Sequence, residues 1–373
     1  MKVDAFDFAL PAELIAQDAT RRGESRLLSF DRASGELSHG WIRDLPKLLR
    51  ADDLLVTNDT RVFPARLLGH RIPSGGAVEC LLLNPDAPAD EHRLSDIDNR
   101  FSAVGYRASD REVWHALVHP GQKLKPGARV MFEGGGHTIH GEVLERLFYG
   151  RRRIRLEVER GTVTDAIDAI GHIPLPPYIH RPDTPEDRER YQTVYAAHRG
   201  SIAAPTAGLH FDAPLLAALD AAGVERTAIT LHVGYGTFKP VRVDDVEAHV
   251  VDPEPYEISE AAAAAINAAL AAGRRVVAVG TTTTRALEHA AARAGGEPKP
   301  RIAAGRAEAD LFIYPGYEFR VVRGLLTNFH LPKSSLLMLV SAFAGTERVL
   351  AAYREAVVRR YRFYSYGDAM LLR

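Results

Sequence analysis

The sequence lacks the features of secreted and membrane proteins. Cys80 is the only cysteine among 373 residues, which excludes an intrachain disulfide and a zinc site built from several cysteines. The first residues, MKVDAFDFALPAEL, carry acids and a proline where a signal peptide would need an apolar core. No uninterrupted apolar run approaches the ~18 residues that a membrane span needs. We therefore expect a cytoplasmic protein.

An excess of charge is also missing. Lys and Arg total 47, Asp and Glu total 48, and the net charge is -1, so there is no global basic field and any nucleic-acid surface must be a local patch. The hydrophobic content of 46% and the charged content of 25% are typical of a globular protein. At this length we expect about two or three domains.

The common cofactor and nucleophile motifs are absent. The sequence has no G-x-x-x-x-G-K-[ST] phosphate loop, no G-x-G-x-x-G after a strand and no G-x-S-x-G nucleophile elbow. The pairs His115/His119 and His137/His140 have spacings that metal ligands can have, but neither pair comes with the full ligand set of a metal site. We expect surface histidines there and no metal.

The order of segments predicts an α/β body that is interrupted by a small β-barrel. Residues 63–158 consist of short alternating runs between Gly and Pro turns, which indicates a small barrel. Within it, residues 84–112 are polar and acidic, as expected of a surface excursion. Helical and strand patterns alternate after residue 160, as in a parallel sheet. We therefore predict a mixed, parallel-sheet α/β body of residues 1–62 and 159–373 with an inserted β-barrel domain of residues 63–158.

Five loops rich in Gly, His and small polar residues follow predicted strands. They read VTNDTR, SIAAPTAGLHF, LHVGYGTF, VGTTTTR and TNFHLPKSS. Each of them alone could be an ordinary turn or helix cap. Parallel strands, however, deliver their carboxyl ends to one edge of a sheet, where ligands bind. The joint occurrence of the five loops therefore favours a single cleft.

The carboxyl-terminal segment REAVVRRYRFYSYGDAM interleaves arginines with aromatic residues. Arginine neutralises phosphates and aromatic rings stack on unpaired bases, so this pattern is typical of an RNA-binding surface. The alternative is a terminal helix whose aromatic rings pack into the core while the arginine stems cover apolar surface.

Several strings of the sequence resemble a known family. GHIPLPPYI, YQTVYA, AAPTAGLHF, LHVGYGTFKPV, VGTTTTRALE, GLLTNFHLPKSSLLMLVSAF and YRFYSYGDAM are similar, in this order, to the S-adenosylmethionine:tRNA ribosyltransferase-isomerase family, and ESRLL and NDTRVFPARL supply the amino-terminal part. The resemblance runs over nearly the whole chain. It implies an α/β body with an inserted β-barrel, which agrees with the pattern described above.

The resemblance also implies a function. Such enzymes transfer and isomerise the ribosyl part of S-adenosylmethionine onto 7-aminomethyl-7-deazaguanine at the tRNA wobble position. The products are epoxyqueuosine, adenine and methionine. The expected partners are this tRNA and S-adenosylmethionine as co-substrate, with no further cofactor, no membrane and no obligate protein partner.

The implied reaction needs a base that removes a hydrogen from the 5′ carbon next to the sulfonium, and a histidine of near-neutral pKa suits that task. We expect His210 or His232 to be this base, with His330 as a third candidate. For binding S-adenosylmethionine we expect Asp59, Arg61, Thr206, Gly208, Gly234, Gly236, Thr281, Thr282 and Arg285. For binding the tRNA and its base we expect Asn328, Lys333, Arg359, Arg362, Tyr364 and Tyr366.

Two other functions stay open at this point. An S-adenosylmethionine-dependent RNA methyltransferase would share the substrates, although the glycine-rich first turn of such enzymes is absent. A non-catalytic RNA-binding protein would explain the carboxyl-terminal segment but not the five loops.

Overall fold

The fold is known from a computed structural model that describes residues 1–86, 109–295 and 300–373. Most of the predicted acidic excursion, residues 84–112, lies outside the described residues. Its two ends are described, and they belong to barrel strands rather than to a loop: one strand ends at Pro85 and the next begins at Arg111.

The described residues form strands and helices in the following order. The strands are β1 (Arg26–Phe30), β2 (Leu37–Trp41), β3 (Leu54–Asn58), β4 (Thr60–Val62), β5 (Arg66–Ile72), β6 (Ala77–Pro85), β7 (Arg111–His119), β8 (Arg129–Gly134), β9 (His137–Arg146), β10 (Arg151–Val158), β11 (His198–Ser201), β12 (Glu225–Leu231), β13 (Glu254–Ile258), β14 (Val276–Val279), β15 (Gly305–Ala309), β16 (Val322–Asn328) and β17 (Ala369–Leu372). The α-helices are α1 (Leu45–Leu48), α2 (Val163–Ile170), α3 (Asp187–Arg190), α4 (Ala213–Ala221), α5 (Glu260–Ala271), α6 (Thr281–Ala294), α7 (Ser335–Ala344) and α8 (Thr346–Val358).

The body is built on a mixed nine-stranded sheet with the order β15-β13-β12-β3-β14-β16-β17-β1-β2. Four neighbouring strands, β12, β3, β14 and β16, run parallel to one another. Every residue of β3 and β14 is buried, because helices and loops cover both faces of the sheet there. Burial on both faces explains why β14 and the first three residues of β3 are continuous apolar runs rather than alternating patterns.

The insertion is a closed six-stranded barrel with the order β10-β7-β6-β5-β8-β9, and all of its pairs are antiparallel. Inward and outward residues alternate along β10, as the strand period of two requires. Trp114, Phe132 and Leu156 fill the interior. The predicted α/β class with an inserted barrel is confirmed, whereas the domain limits of 62/63 and 158/159 stay a prediction.

Local capping follows the sequence signals. The Asp212 carboxylate accepts from the Leu215 N–H at the start of α4, and the Ser334 hydroxyl does the same for Leu337 at the start of α7. Among the described residues no single helix is long and apolar enough to cross a membrane. Taken together, α7 and α8 are long and apolar enough for this, but the chain bends by 114° between the two helices.

Candidate active site

The predicted meeting point of the loops is the carboxyl edge of the four parallel strands. The strands β12, β3, β14 and β16 are adjacent and share one direction, so the loops that follow Leu231, Asn58, Val279 and Asn328 leave the sheet at the same edge. The fifth loop follows β11, which pairs in parallel with β4. Residues of four of the five predicted loops line the two cavities at this edge, whereas the loop VTNDTR after β3 lines neither of them.

Two adjoining cavities lie at this edge. The first, which we call the inner cavity, has a volume of about 50 Å³, and the second, the outer cavity, has about 160 Å³ and lies between the body and the barrel. Val233 lines both, so they are direct neighbours. The predicted residues at the inner cavity are Thr206, Thr281, Thr282, Asn328, His330 and Tyr364, and those at the outer cavity are His232, Gly234 and Gly236.

The start of helix α6 forms one wall of the inner cavity. Gly280 precedes the helix with φ +94°, a left-handed conformation that glycine adopts without strain, and no side chain caps the helix. The hydroxyls of Thr283 and Thr284 donate to the carbonyls of Val279 and Gly280. The first N–H groups of a helix lack intrahelical partners and carry a positive partial charge, so this wall suits an anion.

Asn328 at the inner cavity has a fixed orientation. Its Nδ2 donates to the Tyr364 carbonyl oxygen at 3.0 Å and lies 3.2 Å from Nε2 of His210, which must therefore be the acceptor. Asn328 is only 3% exposed, and its Oδ1 has no hydrogen-bond partner among the described residues. A buried amide oxygen without a donor is costly, so this atom is suited to accept from a ligand N–H.

His210 stands behind Asn328 rather than at a cavity. Its Nδ1 donates to Ser25 Oγ at 2.8 Å, since Nε2 is the acceptor towards Asn328, and burial lowers the pKa of its imidazole to about 4. Both ring nitrogens are thus occupied within the protein. The structure contradicts the expectation that His210 is a base in contact with substrate and instead indicates that it positions Asn328.

His330 and His232 each line a cavity. His330 Nε2 lies 2.8 Å from Thr327 Oγ1. His232 Nδ1 lies 2.7 Å from Thr60 Oγ1. Burial lowers the pKa of His330 to about 3 and, with the charge of His198 as a second cause, that of His232 to about 4. Both imidazoles are therefore neutral near pH 7 and can accept a proton, but their pKa values lie below the near-neutral value expected of the base from the sequence.

Gly200 holds the His232 ring in place. Its φ is +150°, and a Cβ at this position would lie 2.8, 2.9 and 3.0 Å from three atoms of the imidazole. Only a residue without a Cβ allows this close approach of backbone and ring. Gly200 was not among the predicted site residues, because its role depends on a partner 32 positions away.

Arg285 lines neither cavity. It is 8% exposed, and its guanidinium donates to Glu254 Oε2 at 2.8 Å and to the carbonyls of Leu311 and Ala309 at 3.1 and 3.0 Å. The other oxygen of Glu254 accepts from the Gly234 N–H and the Thr237 hydroxyl, which belong to the loop between the two cavities. We therefore correct the predicted contact: Arg285 acts through Glu254 on the loop.

Three further residues predicted to bind S-adenosylmethionine line neither cavity. Asp59 accepts from the Thr230 hydroxyl at 2.7 Å, and burial raises the pKa of its carboxyl. Arg61 is exposed on β4. Gly208 is needed for packing, because a Cβ there would lie 2.4 Å from the Tyr195 hydroxyl. The geometry thus argues against direct contact of Asp59, Arg61 and Gly208 with the co-substrate.

Comparisons with known proteins identify the family of the chain. A model of the queuosine biosynthesis protein family matches residues 3–372. The chain belongs to this family. It is 50% identical over 373 residues to the S-adenosylmethionine:tRNA ribosyltransferase-isomerase of Symbiobacterium thermophilum and 45% identical to that of Desulfitobacterium hafniense, with each alignment covering both chains completely. The crystal structure of the S-adenosylmethionine tRNA ribosyltransferase from Thermotoga maritima has a TM-score of 0.51 and 32% identity, covering 99% of this chain and 100% of that one.

In this member of the queuosine biosynthesis family, most of the predicted tRNA contacts lie away from the cavities. Lys333 pairs with Asp4 and Asp7 at 2.8 and 3.0 Å. Arg359 pairs with Glu355, and Arg362 donates to the Asp18 carbonyl. Lys333, Arg359 and Arg362 remain on the surface, and their contact with RNA stays a prediction.

The aromatic residues of the carboxyl-terminal segment belong largely to the core. Tyr366 is 3% exposed and its hydroxyl donates to Asp187 at 2.8 Å, so it cannot stack on a base; this prediction is wrong. Tyr361 and Phe363 are fully buried as well. Tyr364 is the exception in this segment, since it lines the inner cavity. The alternative interpretation of the segment, as packing, holds for three of its four aromatic rings.

Sequence reasoning also missed residues that line the outer cavity. Tyr149 and Arg151 reach it from the barrel, and Lys239 and Asp252 reach it from the body. The adjacent aromatic residues Phe148 and Tyr149 before the run RRRIRLEV could have indicated Tyr149 and Arg151, and Lys239 belongs to the string LHVGYGTFKPV. Among the described residues, no group of three or more His, Cys, Asp or Glu side chains is placed to hold a metal ion.

Proposed function

We propose that this protein is an S-adenosylmethionine:tRNA ribosyltransferase-isomerase. It transfers and isomerises the ribosyl part of S-adenosylmethionine onto 7-aminomethyl-7-deazaguanine at the tRNA wobble position, and releases adenine and methionine. The observation that carries this proposal is the pair of adjoining cavities at the carboxyl edge of the sheet, in a chain that matches the family from residue 3 to residue 372.

We assign the inner cavity to the amino-acid end of S-adenosylmethionine. The start of α6 at Thr281 and Thr282 offers positive backbone groups to the carboxylate. The unpartnered Oδ1 of Asn328 accepts from the ammonium group. This places a carboxylate binder and an ammonium binder in the wall of one cavity, and the smaller volume of about 50 Å³ agrees with the smaller end of the molecule.

The outer cavity then receives the ribose and the target base. The sulfonium lies near Val233, where the two cavities meet, and the 5′ carbon lies on the side of His232. We propose His232 as the base that removes the 5′ hydrogen, with His330 as the alternative on the other side of the sulfur. After adenine has left, the aminomethyl nitrogen of the target base forms a bond to the sugar and loses a proton, and methionine leaves as the bond between its sulfur and the 5′ carbon breaks.

We further propose that the protein acts as a cytoplasmic monomer with S-adenosylmethionine as its only co-substrate. The lone cysteine and the composition support the reducing compartment. Dialysis against a chelator should leave turnover unchanged, and elution at the volume of a 40.9 kDa species should be observed.

One experiment separates the proposed function from its rivals. The protein is incubated with S-adenosylmethionine labelled in the adenine ring and in the methyl group, and with an anticodon stem-loop that carries 7-aminomethyl-7-deazaguanine. The proposal predicts free adenine and methionine in equal amounts. Release of S-adenosylhomocysteine with a labelled RNA would indicate a methyltransferase, and RNA binding without any product would indicate a binding protein.

A further inference from the structure

The tip of the hairpin between β9 and β10 displays two adjacent aromatic side chains to solvent. Phe148 is 87% exposed and Tyr149 is 91% exposed. Among the other aromatic residues whose exposure the structure describes, Trp41 follows with 42%. Paired exposed rings contribute nothing to the barrel core, so packing does not explain them.

The backbone at the tip also argues against a purely structural role. Tyr149 has φ 57° and ψ 31°, which is the left-handed region, and Gly150 follows with φ 80°. A bulky aromatic residue is uncommon in this conformation, whereas glycine adopts it without strain. A turn selected for stability alone would carry glycine or asparagine in place of Tyr149.

The tip stands at the entrance of the proposed site. Tyr149 lines the outer cavity, and His232 lines it from the body. The hairpin therefore brings an aromatic ring from the inserted barrel to the cavity in which we place the target base.

The charges around the tip favour a polyanion. Arg146 precedes it, Arg151 follows it, and Lys239 reaches the same cavity from the body. Asp252 lies 2.6 Å from Lys239 and 3.7 Å from Arg151, so one carboxylate faces two of these cations. The excess positive charge beside two exposed rings matches RNA, which presents phosphates and unpaired bases together.

We propose that Phe148 and Tyr149 form a stacking platform for an unpaired nucleobase next to the target nucleotide of the RNA substrate. This inference rests on the proposed function. A target base that leaves its stack and enters the outer cavity deprives its neighbour of a stacking partner, and an aromatic ring at the cavity entrance replaces that partner. Stacking tolerates any base, so the platform holds the loop open without reading its sequence.

The test uses an anticodon stem-loop with 2-aminopurine, a fluorescent base that is quenched by stacking, next to the target nucleotide. Binding is titrated with the wild-type protein and with the variants Tyr149→Gly, Phe148→Ala and Tyr149→Phe. We expect quenching with the wild type and with Tyr149→Phe, and its loss with the other two. Their RNA affinity should fall by roughly 5- to 150-fold, the range that the loss of one stacked base produces.

Two controls separate stacking from folding. Trp41→Ala removes an exposed aromatic ring from β2, the last strand of the nine-stranded sheet, and should leave RNA affinity unchanged. Tyr149→Gly relieves the left-handed tyrosine, so its unfolding midpoint should be no lower than that of the wild type while its RNA affinity falls. The Michaelis constant for S-adenosylmethionine should not change in Phe148→Ala, because Phe148 lines neither cavity.

The result that would overturn the stacking platform differs from the result that would contradict the proposed function. Unchanged RNA affinity and unchanged quenching in both Tyr149→Gly and Phe148→Ala would overturn the platform, whatever reaction the enzyme catalyses. The exposed rings of the tip would then be assigned to contact with another protein. Conversely, a wild type that binds and quenches the RNA but releases no adenine would contradict the proposed function and retain the platform.

Discussion

The Arg285 guanidinium lies 2.8 Å from Glu254 Oε2 in a buried ion pair, and the second oxygen of Glu254 holds the loop between the two cavities. The Glu254 carboxylate, on strand β13, thus fixes the position of this loop without contacting substrate itself. Helix α6 supplies both the arginine and, at its first turn, the wall of the inner cavity. A change in this pair should therefore affect stability and substrate binding together.

Replacing Glu254 by Gln should lower the free energy of unfolding by about 3–5 kcal/mol, because it leaves the Arg285 charge buried without a counter-charge. The Michaelis constant for S-adenosylmethionine should rise, since the loop at Gly234 and Thr237 loses its charged acceptor. Denaturant unfolding and steady-state kinetics measure the two effects. The control is Asp220→Asn, which removes an exposed partner of Arg226 and should change neither quantity.

Removing the catalytic base should lower turnover by about 10²- to 10⁴-fold without preventing RNA binding. We expect this loss for His232→Ala, and a smaller one for His330→Ala. His140→Ala changes a half-exposed barrel histidine and serves as the control. Single-turnover adenine release is the measurement. Wild-type rates in both His232→Ala and His330→Ala would show that the base is another group.

Gly200→Ala should displace the His232 ring, because the new Cβ would lie 2.8–3.0 Å from its atoms. A shift of about 1 Å at a catalytic group can cost on the order of 10²-fold in rate, so we expect a loss of that size. Gly305→Ala is a matched control: its φ of +130° also strains a side chain, but nothing lies within 4 Å of the added Cβ. Equal activities of the two variants would argue against His232 in the site.

Stability should decrease as the pH falls below about 6.5. Burial lowers the pKa of His210 to about 4, against about 6.5 in the unfolded chain, so between these values only the unfolded state binds the proton. The free energy of unfolding should then fall by about 1.4 kcal/mol per pH unit for each such histidine, and the contribution is complete above pH 6.5. Urea unfolding at pH 7.5, 5.5 and 4.5 measures the slope. His210→Gln should reduce it, and an unchanged slope would contradict the buried neutral imidazole.

The sequence was sufficient to predict those parts of the fold that depend on hydrophobic periodicity and on the order of the strands. Apolar strands such as Val276–Val279, each followed by a glycine-rich loop, require a parallel sheet with its loops at one edge, and the cavities lie there. The change from helical to short alternating patterns likewise indicated the barrel. Neither inference required knowledge of a distant contact.

The sequence failed where a partner far along the chain decides the role of a residue. Arg285 looked like a ligand contact, but Glu254, 31 positions earlier, neutralises it. Tyr366 looked like a stacking residue, but Asp187 binds its hydroxyl inside the core. His210 looked like a base, but Ser25 and Asn328 occupy its nitrogens. Composition and spacing do not contain such pairings.

The most direct test of the account is the structure of the protein with S-adenosylmethionine and the stem-loop RNA. We expect the methionine carboxylate at the first turn of α6, the ammonium group at Asn328 Oδ1, and the sulfur beside Val233 with the ribose towards His232. A co-substrate bound away from these two cavities, or with its adenosyl group at the start of α6, would contradict the site that we describe.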